Sequence, residues 1–479
     1  MAIIKGSDYL ERINKLQNEV WIGGEKVTGA ISEHPAFKGI MKSKAALYDL
    51  YHHSDKKDLL TCWDEKTNEY HSFSYSQPKT KEQLRNRRQA TQLLARESGG
   101  TMGRSPDYIN TAIMSLGSGG VGMPKPYGDN ARKIFEEARE KDFSFTHTFI
   151  NPQVNRSKHY VEYSNEKIIG AKVIDETEEG AIIHGARLLA TQGGITDQLL
   201  VLPAGGNFIE PSFVYGFAIP SNTPGLKFLC RESYAHGKTS SYDYPLTSHF
   251  EEGDAVVVFD HVLVPWERIF IYSDPSQVQT MYDETNMNVL LLYQAVSRQA
   301  VKSEWLLGLS EWMVRTINVV EHQHIHEKMS EMIISLEIMN SLLIAAEEEA
   351  QPNKHGTMIP DIRKLGAACS YYQKTYPRLV DALQQIGASG FISLPSEADF
   401  HSSIKEDLHQ YLQAANEDAY ERVRMFRLAW DLTMSPFGSR QTQYERFFFG
   451  DQVRLSSSLY MNYPKEPFVQ QVQSFLKKR

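Results

Sequence analysis

The hydrophobic positions follow three successive patterns along the chain. Up to residue 142, apolar side chains recur at helical intervals between polar loops, which predicts amphipathic helices. Residues 143–275 contain short runs rich in β-branched and aromatic side chains separated by Gly and Pro, a pattern typical of a β-sandwich or barrel. After residue 275, apolar side chains again recur at helical intervals. We therefore predict an α+β protein with an N-terminal helical domain (1–142), a middle β domain (143–275) and a C-terminal helical bundle (276–479).

The C-terminal region contains four long helical patterns, the number that a helical bundle needs. They cover residues 287–313, 327–350, 360–386 and 404–432. The second pattern carries an apolar stripe that we expect to face the core of the bundle. The residues on that stripe are Met329, Met332, Ile333, Leu336, Met339 and Leu343.

Composition narrows the possible classes of function. The 479 residues include 51 Lys and Arg against 59 Asp and Glu, a net charge of −8, and such a chain is a poor partner for nucleic acid. No stretch approaches the roughly 18 apolar residues of a membrane span, and the N-terminus lacks the apolar core of a signal peptide. The three cysteines, Cys62, Cys230 and Cys369, lie far apart, which argues against disulfides and against a cysteine-ligated metal. We expect a reduced, cytoplasmic protein without a metal site.

Two short motifs resemble ligand-binding sites, but the secondary structure predicted around each of them does not suit a ligand. Residues 117–122 match the dinucleotide-binding pattern Gly-x-Gly-x-x-Gly, which works only between a strand and a helix, whereas a helical pattern precedes it here and prolines follow. We expect a flexible loop. His322, His324 and His326 could hold a metal on a continuous helix, but the helical patterns break around them, so we expect a solvated turn.

Two other segments concentrate polar donors. Residues 103–108 read Gly-Arg-Ser-Pro-Asp-Tyr, in which Ser-Pro favours a helix start with Arg104 at its mouth and Tyr108 one turn inside. These side chains could grip a phenolic oxygen, although a capped helix with a surface ion pair would look the same. Residues 145–157 place His147 between two threonines, ahead of Asn, Gln, Arg and Ser. Histidine exchanges protons near neutral pH, and a buried, hydrogen-bonded histidine is the alternative.

Two further polar runs could contact a cofactor. Thr191 precedes Gln and two glycines at the end of a predicted strand, where its hydroxyl and the backbone amides could reach a flavin ring or a phosphate. Residues 438–441 (Gly-Ser-Arg-Gln) follow Pro436 in a predicted inter-helix loop, and this composition suits contact with a pyrophosphate. A bare loop between two helices would look the same.

Seven blocks of residues, taken in order, carry a resemblance to a known family. They are 103–108, 147–157 (His-Thr-Phe-Ile-Asn-Pro-Gln-Val-Asn-Arg-Ser), 185–191 (Gly-Ala-Arg-Leu-Leu-Ala-Thr), 260–268 (Asp-His-Val-Leu-Val-Pro-Trp-Glu-Arg), 428–432 (Leu-Ala-Trp-Asp-Leu), 438–441 and 444–447 (Tyr-Glu-Arg-Phe). The chain resembles the oxygenase component of the 4-hydroxyphenylacetate 3-hydroxylase family, which has an acyl-CoA dehydrogenase-like fold. The likeness spans almost the whole chain.

The resemblance implies a two-component flavin monooxygenase. Such an enzyme receives FADH2 from a separate flavin reductase, uses O2 as co-substrate and hydroxylates a phenol ortho to its hydroxyl through a C4a-hydroperoxyflavin. Family members are usually homotetramers with the C-terminal bundle at the centre. The resemblance also assigns a catalytic trio of Arg104, Tyr108 and His147. The FAD-binding residues that it implies are His147, Thr148, Phe149, Gln153, Val154, Asn155, Arg156, Thr191, Gly438, Ser439, Arg440 and Gln441.

The implied chemistry suits the types of residue in the trio. Oxygen transfer needs an electron-rich ring, so our hypothesis is that His147 hydrogen-bonds the phenolic oxygen and assists its deprotonation. Arg104 would stabilise the developing negative charge and orient the peroxide, while Tyr108 would fix the position of the ring. The pocket should be closed and mostly apolar, because water would break down the oxygenated flavin.

Other functions remain open at this point. A plain acyl-CoA dehydrogenase would need a carboxylate base facing the flavin, for which Glu445 could be offered. A dehydratase branch of the same fold uses a cysteine-ligated iron–sulfur cluster, and this chain has no cysteine near residues 104–108 or in the first bundle helix. An inactive flavin-binding paralogue is the third alternative. The substrate is also open, because residues 200–208, the predicted pocket-closing loop, contain no Arg or Lys to pair with the carboxylate of 4-hydroxyphenylacetate.

Overall fold

The structure, a computed structural model, describes residues 3–65, 67–154, 168–203 and 210–477. Helices dominate both ends of the chain and strands its middle. The helices are α1 (Gly6–Leu16), α2 (Lys38–Leu50), α3 (Lys57–Leu60), α4 (Lys81–Arg96), α5 (Pro106–Gly119), α6 (Tyr127–Lys141), α7 (Thr247–Phe250), α8 (Pro275–Thr285), α9 (Met287–Thr316), α10 (Gln323–Glu348), α11 (Ile362–Gly387), α12 (Lys405–Tyr411), α13 (Ala419–Thr433), α14 (Pro436–Phe447), α15 (Gln452–Asn462) and α16 (Glu466–Lys477). The strands are β1 (Val20–Ile22), β2 (Glu25–Lys26), β3 (Thr61–Asp64), β4 (Glu69–Ser72), β5 (Phe145–Thr148), β6 (Lys172–Glu176), β7 (Gly180–Thr191), β8 (Gln198–Val201), β9 (Tyr215–Pro220), β10 (Leu226–Cys230), β11 (Asp254–Pro265), β12 (Ile269–Tyr272), β13 (Gln351–Pro352) and β14 (Met358–Ile359).

The middle of the chain forms two larger sheets, in agreement with the predicted β region. The larger sheet has the strand order β2-β1-β10-β11-β7-β6, and the smaller has the order β12-β9-β8-β5. The long strands β7 and β11 pair antiparallel, whereas β5 pairs with β8 in parallel. The larger sheet also takes β1 from the N-terminal region, which pairs in parallel with β10. The hydrophobic spacing did not predict β1, because a strand of three residues is too short to leave a period in the sequence.

Two local predictions of loops were wrong. Residues 438–441 form the beginning of α14, because Ser435 caps this helix by accepting a hydrogen bond from Gly438 N at 3.1 Å. Gly117 lies inside α5, where its missing side chain lets Phe135 pack closely, since a Cβ at this position would lie 2.2 Å from the Phe135 ring. The glycines of the dinucleotide-like pattern therefore serve helix packing.

The bundle differs from its prediction at two places. The fourth helical pattern, residues 404–432, is two helices, because Asp418 starts α13 anew by accepting a hydrogen bond from Glu421 N at 2.9 Å. The histidine cluster does not form a turn, since α10 already contains His324 and His326. Both side chains are exposed, as expected of a solvated cluster.

Among the described helices, α10 is the one that is long and apolar enough, by length and composition, to cross a membrane. One side packs on α9 and α11, where Met332, Met339 and Leu343 are buried as predicted. Ile333 was predicted to join them but is 47% exposed, because it follows Met332 directly and so points about 100° away around the helix. With Ile344 it forms an uncovered apolar face on a helix of the bundle.

One hydrophobic cluster joins the three regions of the chain. It contains Tyr108 and Ile109 of α5, Phe145 of β5, Leu200 of β8 and Leu291 of α9, all buried. The N-terminal helices, the smaller sheet and the first bundle helix therefore share a core at this point. Polar side chains at the edge of this core line a cavity.

Candidate active site

A large cavity lies where the three regions meet. Its volume is about 2240 Å³, against the roughly 300–1,000 Å³ of an ordinary small-molecule pocket. Residues of β5, β7, β11, α9, α11 and α14 and the segment before α5 contribute to its walls. The cavity therefore has room for a cofactor as large as a dinucleotide together with a second, smaller ligand.

The start of α5 brings two of the predicted catalytic residues to this cavity. Pro106 occupies the first position of the helix, as the Ser-Pro pair predicted, so that Arg104 lies just outside the helix and Tyr108 in its first turn. The Arg104 Cζ atom lies 4.5 Å from the centre of the Tyr108 ring, a cation–π contact. Both side chains are buried and both line the cavity.

Strand β5 brings the third residue, His147. On either side of it, the Thr146 and Thr148 hydroxyls donate hydrogen bonds of 2.7 Å to backbone carbonyls of β7. Because side chains alternate across a strand, His147 points to the opposite side. Its ring centre lies 6.0 Å from that of Tyr108.

The structure thus brings Arg104, Tyr108 and His147 together in one cavity. Two phenylalanines extend this group into an aromatic wall. The Phe149 ring stacks 5.7 Å from the His147 ring, and the Phe448 ring centre lies 5.8 Å from that of Tyr108. A flat aromatic ligand would find both polar contacts and ring faces at this end of the cavity.

Burial sets the charge state of each member of the trio. Burial, aided by the Arg104 charge, lowers the pKa of His147 well below its ordinary value, so the imidazole is neutral at pH 7. Burial also raises the pKa of Tyr108, although Arg104 opposes the shift. Burial alone would lower the pKa of Arg104, but the neighbouring phenols and Glu252 raise it overall. A neutral base therefore lies beside a permanent cation, the combination that favours a phenolate over a phenol.

A buried carboxylate holds the backbone that carries Arg104. Glu252 accepts hydrogen bonds from Gly103 N (2.9 Å) and Arg104 N (2.7 Å). Gln192 joins them by donating to Arg104 O and to the Glu252 carboxylate, both at 3.0 Å. The sequence analysis did not link Gln192 or Glu252 to Arg104. Gln192 lies in the polar run after Thr191 but 88 residues from Arg104, and Glu252, 148 residues away, belongs to no recognisable motif.

A charged group lines the cavity close to the trio, since Arg440 Nη1 lies 3.9 Å from the carboxylate of Glu252, which also binds the backbone of Arg104. Asp254 accepts hydrogen bonds from the Nε and NH2 atoms of Arg440 (2.8 Å each), from Thr191 Oγ1 (2.8 Å) and from Arg231 Nε (3.2 Å). Burial opposes ionisation of Asp254, but Arg440 outweighs it and lowers the pKa to about 2. All four residues line the cavity. Arg231 also pairs with the buried Glu251 at 2.5 Å, so the two guanidiniums that could contact the phosphates of a dinucleotide are held in place by neighbouring carboxylates.

Several predicted FAD-binding residues line the cavity alongside His147. They are Phe149, Gln153, Val154, Thr191 and Arg440. Asn155 and Arg156 lie outside the described residues. Residues 204–208 of the predicted pocket-closing loop also lie outside them, whereas Leu202 and Pro203 of that loop line the cavity.

Four other predicted FAD-binding residues do not present side chains to the cavity. The Thr148 hydroxyl is engaged by β7, and Gly438 packs closely on α13. Ser439 is exposed, while Gln441 is buried and donates a hydrogen bond of 3.0 Å to a backbone carbonyl. The reason is that residues 438–441 are helical. Only one face of α14 borders the cavity, and Arg440 lies on it.

The carboxylate required by the acyl-CoA dehydrogenase alternative is not available as a base. Glu445 is fully buried, and Arg298, Lys302 and Gln299 donate hydrogen bonds to it at 2.7, 2.9 and 3.0 Å. Burial would raise the pKa of Glu445, but Arg298 and Lys302 lower it to about 2. A carboxylate held in this way, outside the cavity lining, has no access to a substrate proton.

The fold places two cysteines in the cavity lining, although both lie far from the trio in the sequence. Cys230 and Cys369 both belong to the lining. Burial raises the pKa of each thiol to about 12. In the absence of a metal ion, both therefore stay protonated at neutral pH.

One group within the described ranges has the geometry of a metal site, and it lies apart from the cavity. The ligand atoms of His184, Asp260 and His261 lie within 4.8 Å of one another at the surface. Asp260 already accepts a hydrogen bond of 3.0 Å from Lys227 Nζ. The cavity itself is built from guanidinium, phenol, imidazole and amide groups.

Unpartnered polar atoms indicate that the cavity receives a ligand. Within the described chain, Arg104 Nε, His147 Nδ1 and both polar side-chain atoms of Asn151 are buried and have no hydrogen-bond partner. Buried polar atoms in proteins are nearly always hydrogen-bonded, so a bound molecule is expected to complete these. Together with the volume and the charged wall of Asp254 and Arg440, these atoms fit a flavin dinucleotide beside a phenol.

Solved structures with low identity to this chain share its fold. A 4-hydroxybutyryl-CoA dehydratase from an archaeon, N. maritimus, is 18% identical, with a TM-score of 0.88 over 99% of this chain and 95% of its own. A glutaryl-CoA dehydrogenase is 10% identical, with a TM-score of 0.50 over 95% of this chain and 94% of its own. At these identities the comparison concerns the fold alone, and it confirms the predicted acyl-CoA dehydrogenase-like α+β architecture.

Closer relatives cover the whole chain. A probable 4-hydroxyphenylacetate 3-monooxygenase of Bacillus subtilis is 48% identical over 99% of both chains, and a 4-hydroxyphenylacetate 3-monooxygenase oxygenase component of Geobacillus is 43% identical over 98% of this chain and 96% of its own. A crystal structure of such an oxygenase component, complexed with FAD and 4-hydroxyphenylacetate, is 40% identical, with a TM-score of 0.94 over 99% of this chain and 98% of its own. The N-terminal and C-terminal family profiles of 4-hydroxyphenylacetate 3-hydroxylase match residues 5–271 and 278–477. The chain therefore belongs to the 4-hydroxyphenylacetate 3-hydroxylase family.

Proposed function

We propose that this chain is the oxygenase component of a two-component 4-hydroxyphenylacetate 3-monooxygenase. It takes up reduced FAD made by a separate reductase and inserts one atom of O2 ortho to the hydroxyl of a phenol. The phenol, O2 and FADH2 are converted to the catechol, FAD and water. The observation that carries the proposal is the convergence of Arg104, Tyr108 and His147 in a cavity large enough for a flavin and a phenol.

The residues that would hold FAD include members of the charged group around Asp254. Gln153, Thr191 and Arg440 offer amide, hydroxyl and guanidinium groups to ring carbonyls and phosphates. When bound and reduced, FAD would activate O2, so that one of its oxygen atoms can be transferred to the phenol. Phe149 and Phe448 line the same cavity. Phe448 is buried and would help to exclude water from the reacting groups, whereas Phe149 is 38% exposed.

The trio prepares the phenol for oxygen transfer. His147 is neutral and buried, so its imidazole can accept the phenolic proton. Arg104 keeps its charge and stabilises the resulting phenolate oxygen, which makes the ring electron-rich at its ortho carbon. Tyr108 lies between the two and fixes the position of the ring.

Product formation from a panel of para-substituted phenols tests the proposal. The purified chain, supplied with FADH2 by an added flavin reductase in air, is expected to convert 4-hydroxyphenylacetate to its 3-hydroxy product, measured by liquid chromatography. Phenol, 4-nitrophenol and tyrosine serve as competitors for the same site. Absence of an ortho-hydroxylated product from every phenol, or reduction of bound FAD by an acyl-CoA, would refute the proposed activity.

Replacing Arg440 tests its assigned contact with FAD. The Arg440→Ala variant is expected to bind FAD about 10- to 100-fold more weakly, because a charged hydrogen-bond donor to a phosphate contributes on the order of 1.5–3 kcal/mol. Asp254 keeps Thr191 and Arg231 as partners, so the fold should survive. Fluorescence titration with FAD measures the effect, and Ser439→Ala on the exposed side of the same helix is the matched control. Equal affinities in the two variants would remove Arg440 from the FAD site.

The oligomeric state belongs to the same proposal. Apolar side chains are exposed on the outer face of α10 and along the last two helices, including Ile333, Met461, Phe468 and Val472. Such faces are covered in a homo-oligomer, in keeping with the homotetramer that the resemblance implies. Light scattering of the purified chain is expected to give the mass of four copies, and a monomer would contradict this.

A further inference from the structure

The Arg104 guanidinium is held by a second phenol besides Tyr108. Arg104 NH1 donates a hydrogen bond of 2.6 Å to the hydroxyl oxygen of Tyr444 and a longer one, 3.1 Å, to Gly103 O. Within the described ranges the Arg104 side chain contacts no carboxylate, and its Nε has no hydrogen-bond partner. The Tyr444 hydroxyl is therefore the side-chain acceptor that orients this cation.

Tyr444 is itself tightly placed. Its ring stacks on Phe448 with 4.8 Å between the ring centres and 26° between the planes. Its hydroxyl lies against the backbone of Gly103, where an added Cβ would come within 2.5 Å of the Tyr444 hydroxyl oxygen. A glycine beside Arg104 is thus what permits the close approach of the phenol.

The helix that carries Tyr444 cannot easily rotate or slide. The next residue, Glu445, is fully buried between Arg298 and Lys302, which donate hydrogen bonds to it at 2.7 and 2.9 Å. Arg298 also lies 5.4 Å from the centre of the Tyr444 ring. The bundle therefore fixes the register of α14, and through it the position of the Tyr444 hydroxyl.

The protonation state of Tyr444 suits an acceptor for a guanidinium. Burial raises the pKa of Tyr444, against the opposing effect of Arg104, so the hydroxyl is neutral at all physiological pH values. A neutral hydroxyl accepts from Arg104 without cancelling its charge, whereas a carboxylate would form a neutral pair. The cation thus remains available to an anionic ligand in the cavity.

We propose that Tyr444 is a positioning residue for this reaction: it holds Arg104 so that the unpartnered edge of the guanidinium faces the oxygen of the bound phenol. The inference rests on the proposed function, because it assumes that the ligand at Arg104 is a phenolate. Because Arg104 Nη1 is held by two acceptors, Tyr444 and Gly103 O, few orientations of the guanidinium remain, and its other donors meet the ligand without a search over rotamers. The residue would thus increase the fraction of bound phenol that is ionised.

The test uses Tyr444→Phe and a coloured phenol. The anaerobic holoenzyme loaded with FADH2 is titrated with pH in the presence of 4-nitrophenol, whose phenolate absorbs at longer wavelength than the phenol. The variant is expected to ionise the bound probe about half to one pH unit higher than the unaltered protein, the effect of one lost hydrogen bond. In turnover with 4-hydroxyphenylacetate, kcat should fall about tenfold while KM changes little.

Two further variants separate positioning from a general structural effect. Tyr376→Phe removes the hydroxyl of another buried tyrosine in the bundle, one that lies outside the cavity lining and has no hydrogen-bond partner for its hydroxyl in the described chain. It is expected to leave the ionisation of the probe and kcat unchanged. In an Arg104→Met background, Tyr444→Phe is expected to cause no additional shift, because Tyr444 acts only through Arg104.

The outcomes distinguish this inference from the proposed function. If the unaltered protein binds no probe and hydroxylates no phenol, the proposed function itself is wrong. If the unaltered protein is active but Tyr444→Phe ionises the probe at the same pH, the inference is overturned. A full shift that persists in the Arg104→Met background would overturn it too, since Tyr444 would then act on the phenol by another route.

Discussion

The His147→Ala variant is expected to lose ortho-hydroxylation by a factor of roughly 10²–10³ and still to bind reduced FAD. The neutral imidazole is the group in the trio that can take the phenolic proton, and loss of one positioned catalytic group typically costs this much in rate. Flavin binding should persist, because Gln153, Thr191 and Arg440 line the cavity independently of His147. Single-turnover product formation and FAD titration measure the two quantities separately.

A second buried histidine provides the control. His71 is also buried, but it contacts Ser76 at 3.0 Å and lies outside the cavity lining. His71→Ala should therefore keep the rate of hydroxylation in whatever fraction of the protein is folded. Near-normal product formation by His147→Ala would remove His147 from the mechanism and leave deprotonation of the phenol to solvent or to the flavin.

If His147 accepts the phenolic proton, its pKa determines in which direction the pH profile of kcat/KM is shifted. Burial and the Arg104 charge both lower the pKa of His147, so the imidazole remains unprotonated, and able to accept a proton, well below pH 6.5. The acid limb of the kcat/KM profile is expected to lie below that value. In Arg104→Met it should move upward, because a charge that disfavours the imidazolium has been removed. Burial is the larger cause of the lowered pKa and remains in this variant. The acid limb should therefore still lie at a lower pH than the pKa of an exposed histidine.

The Glu445→Ala variant is expected to lose about 3–5 kcal/mol of stability. The substitution leaves Arg298 and Lys302 fully buried without their carboxylate, and an uncompensated buried charge has this cost. Urea unfolding at a fixed protein concentration measures the free energy of unfolding. The control is Glu331→Ala, which breaks an exposed ion pair with Arg378 and should cost less than about 1 kcal/mol.

The pH dependence of stability provides a second check on Glu445. Its pKa in the folded protein is about 2, below the ordinary 4.5, so ionised Glu445 contributes fully above about pH 4.5, up to the pH near 8 at which burial lets Lys302 lose its proton. That contribution is lost as the pH falls from about 4.5 to about 2. Glu445→Ala should therefore lose stability less steeply than the unaltered protein over this range. Identical slopes would mean that Glu445 is not ionised in the folded state.

Much of the fold could be predicted from the periodicity of single segments. The amphipathic pattern after residue 276 predicted α9, α10 and α11 to within a few residues, because a long helix repeats its period many times. Short elements were the failures. The strand β1 covers only Val20–Ile22, and the cap at Asp418 divides one helical pattern into two, since a single capping residue outweighs a weak continuation of the apolar stripe.

The candidate site divides in the same way. The segments around Arg104, Tyr108 and His147 could be identified from their residue types and from the resemblance, and the structure brings all three to one cavity. The prediction that residues 438–441 form a cofactor-binding loop did not anticipate that a helix turns most of them away. The sequence also contained no indication of Glu252, which binds the backbone of Arg104 although it lies 148 residues away in the chain.

The sequence by itself determined the order of helical and β regions, the family, and the residue types of the catalytic trio, because these depend on local periodicity and on short contiguous motifs. The tertiary structure alone decided which groups meet: Tyr444 with Arg104, Glu445 with Arg298 and Lys302, and Asp254 with Arg440. These pairs join segments more than 140 residues apart. Charge and hydrogen bonding act over a few ångströms in space, and the spacing of residues along the chain carries no record of that distance.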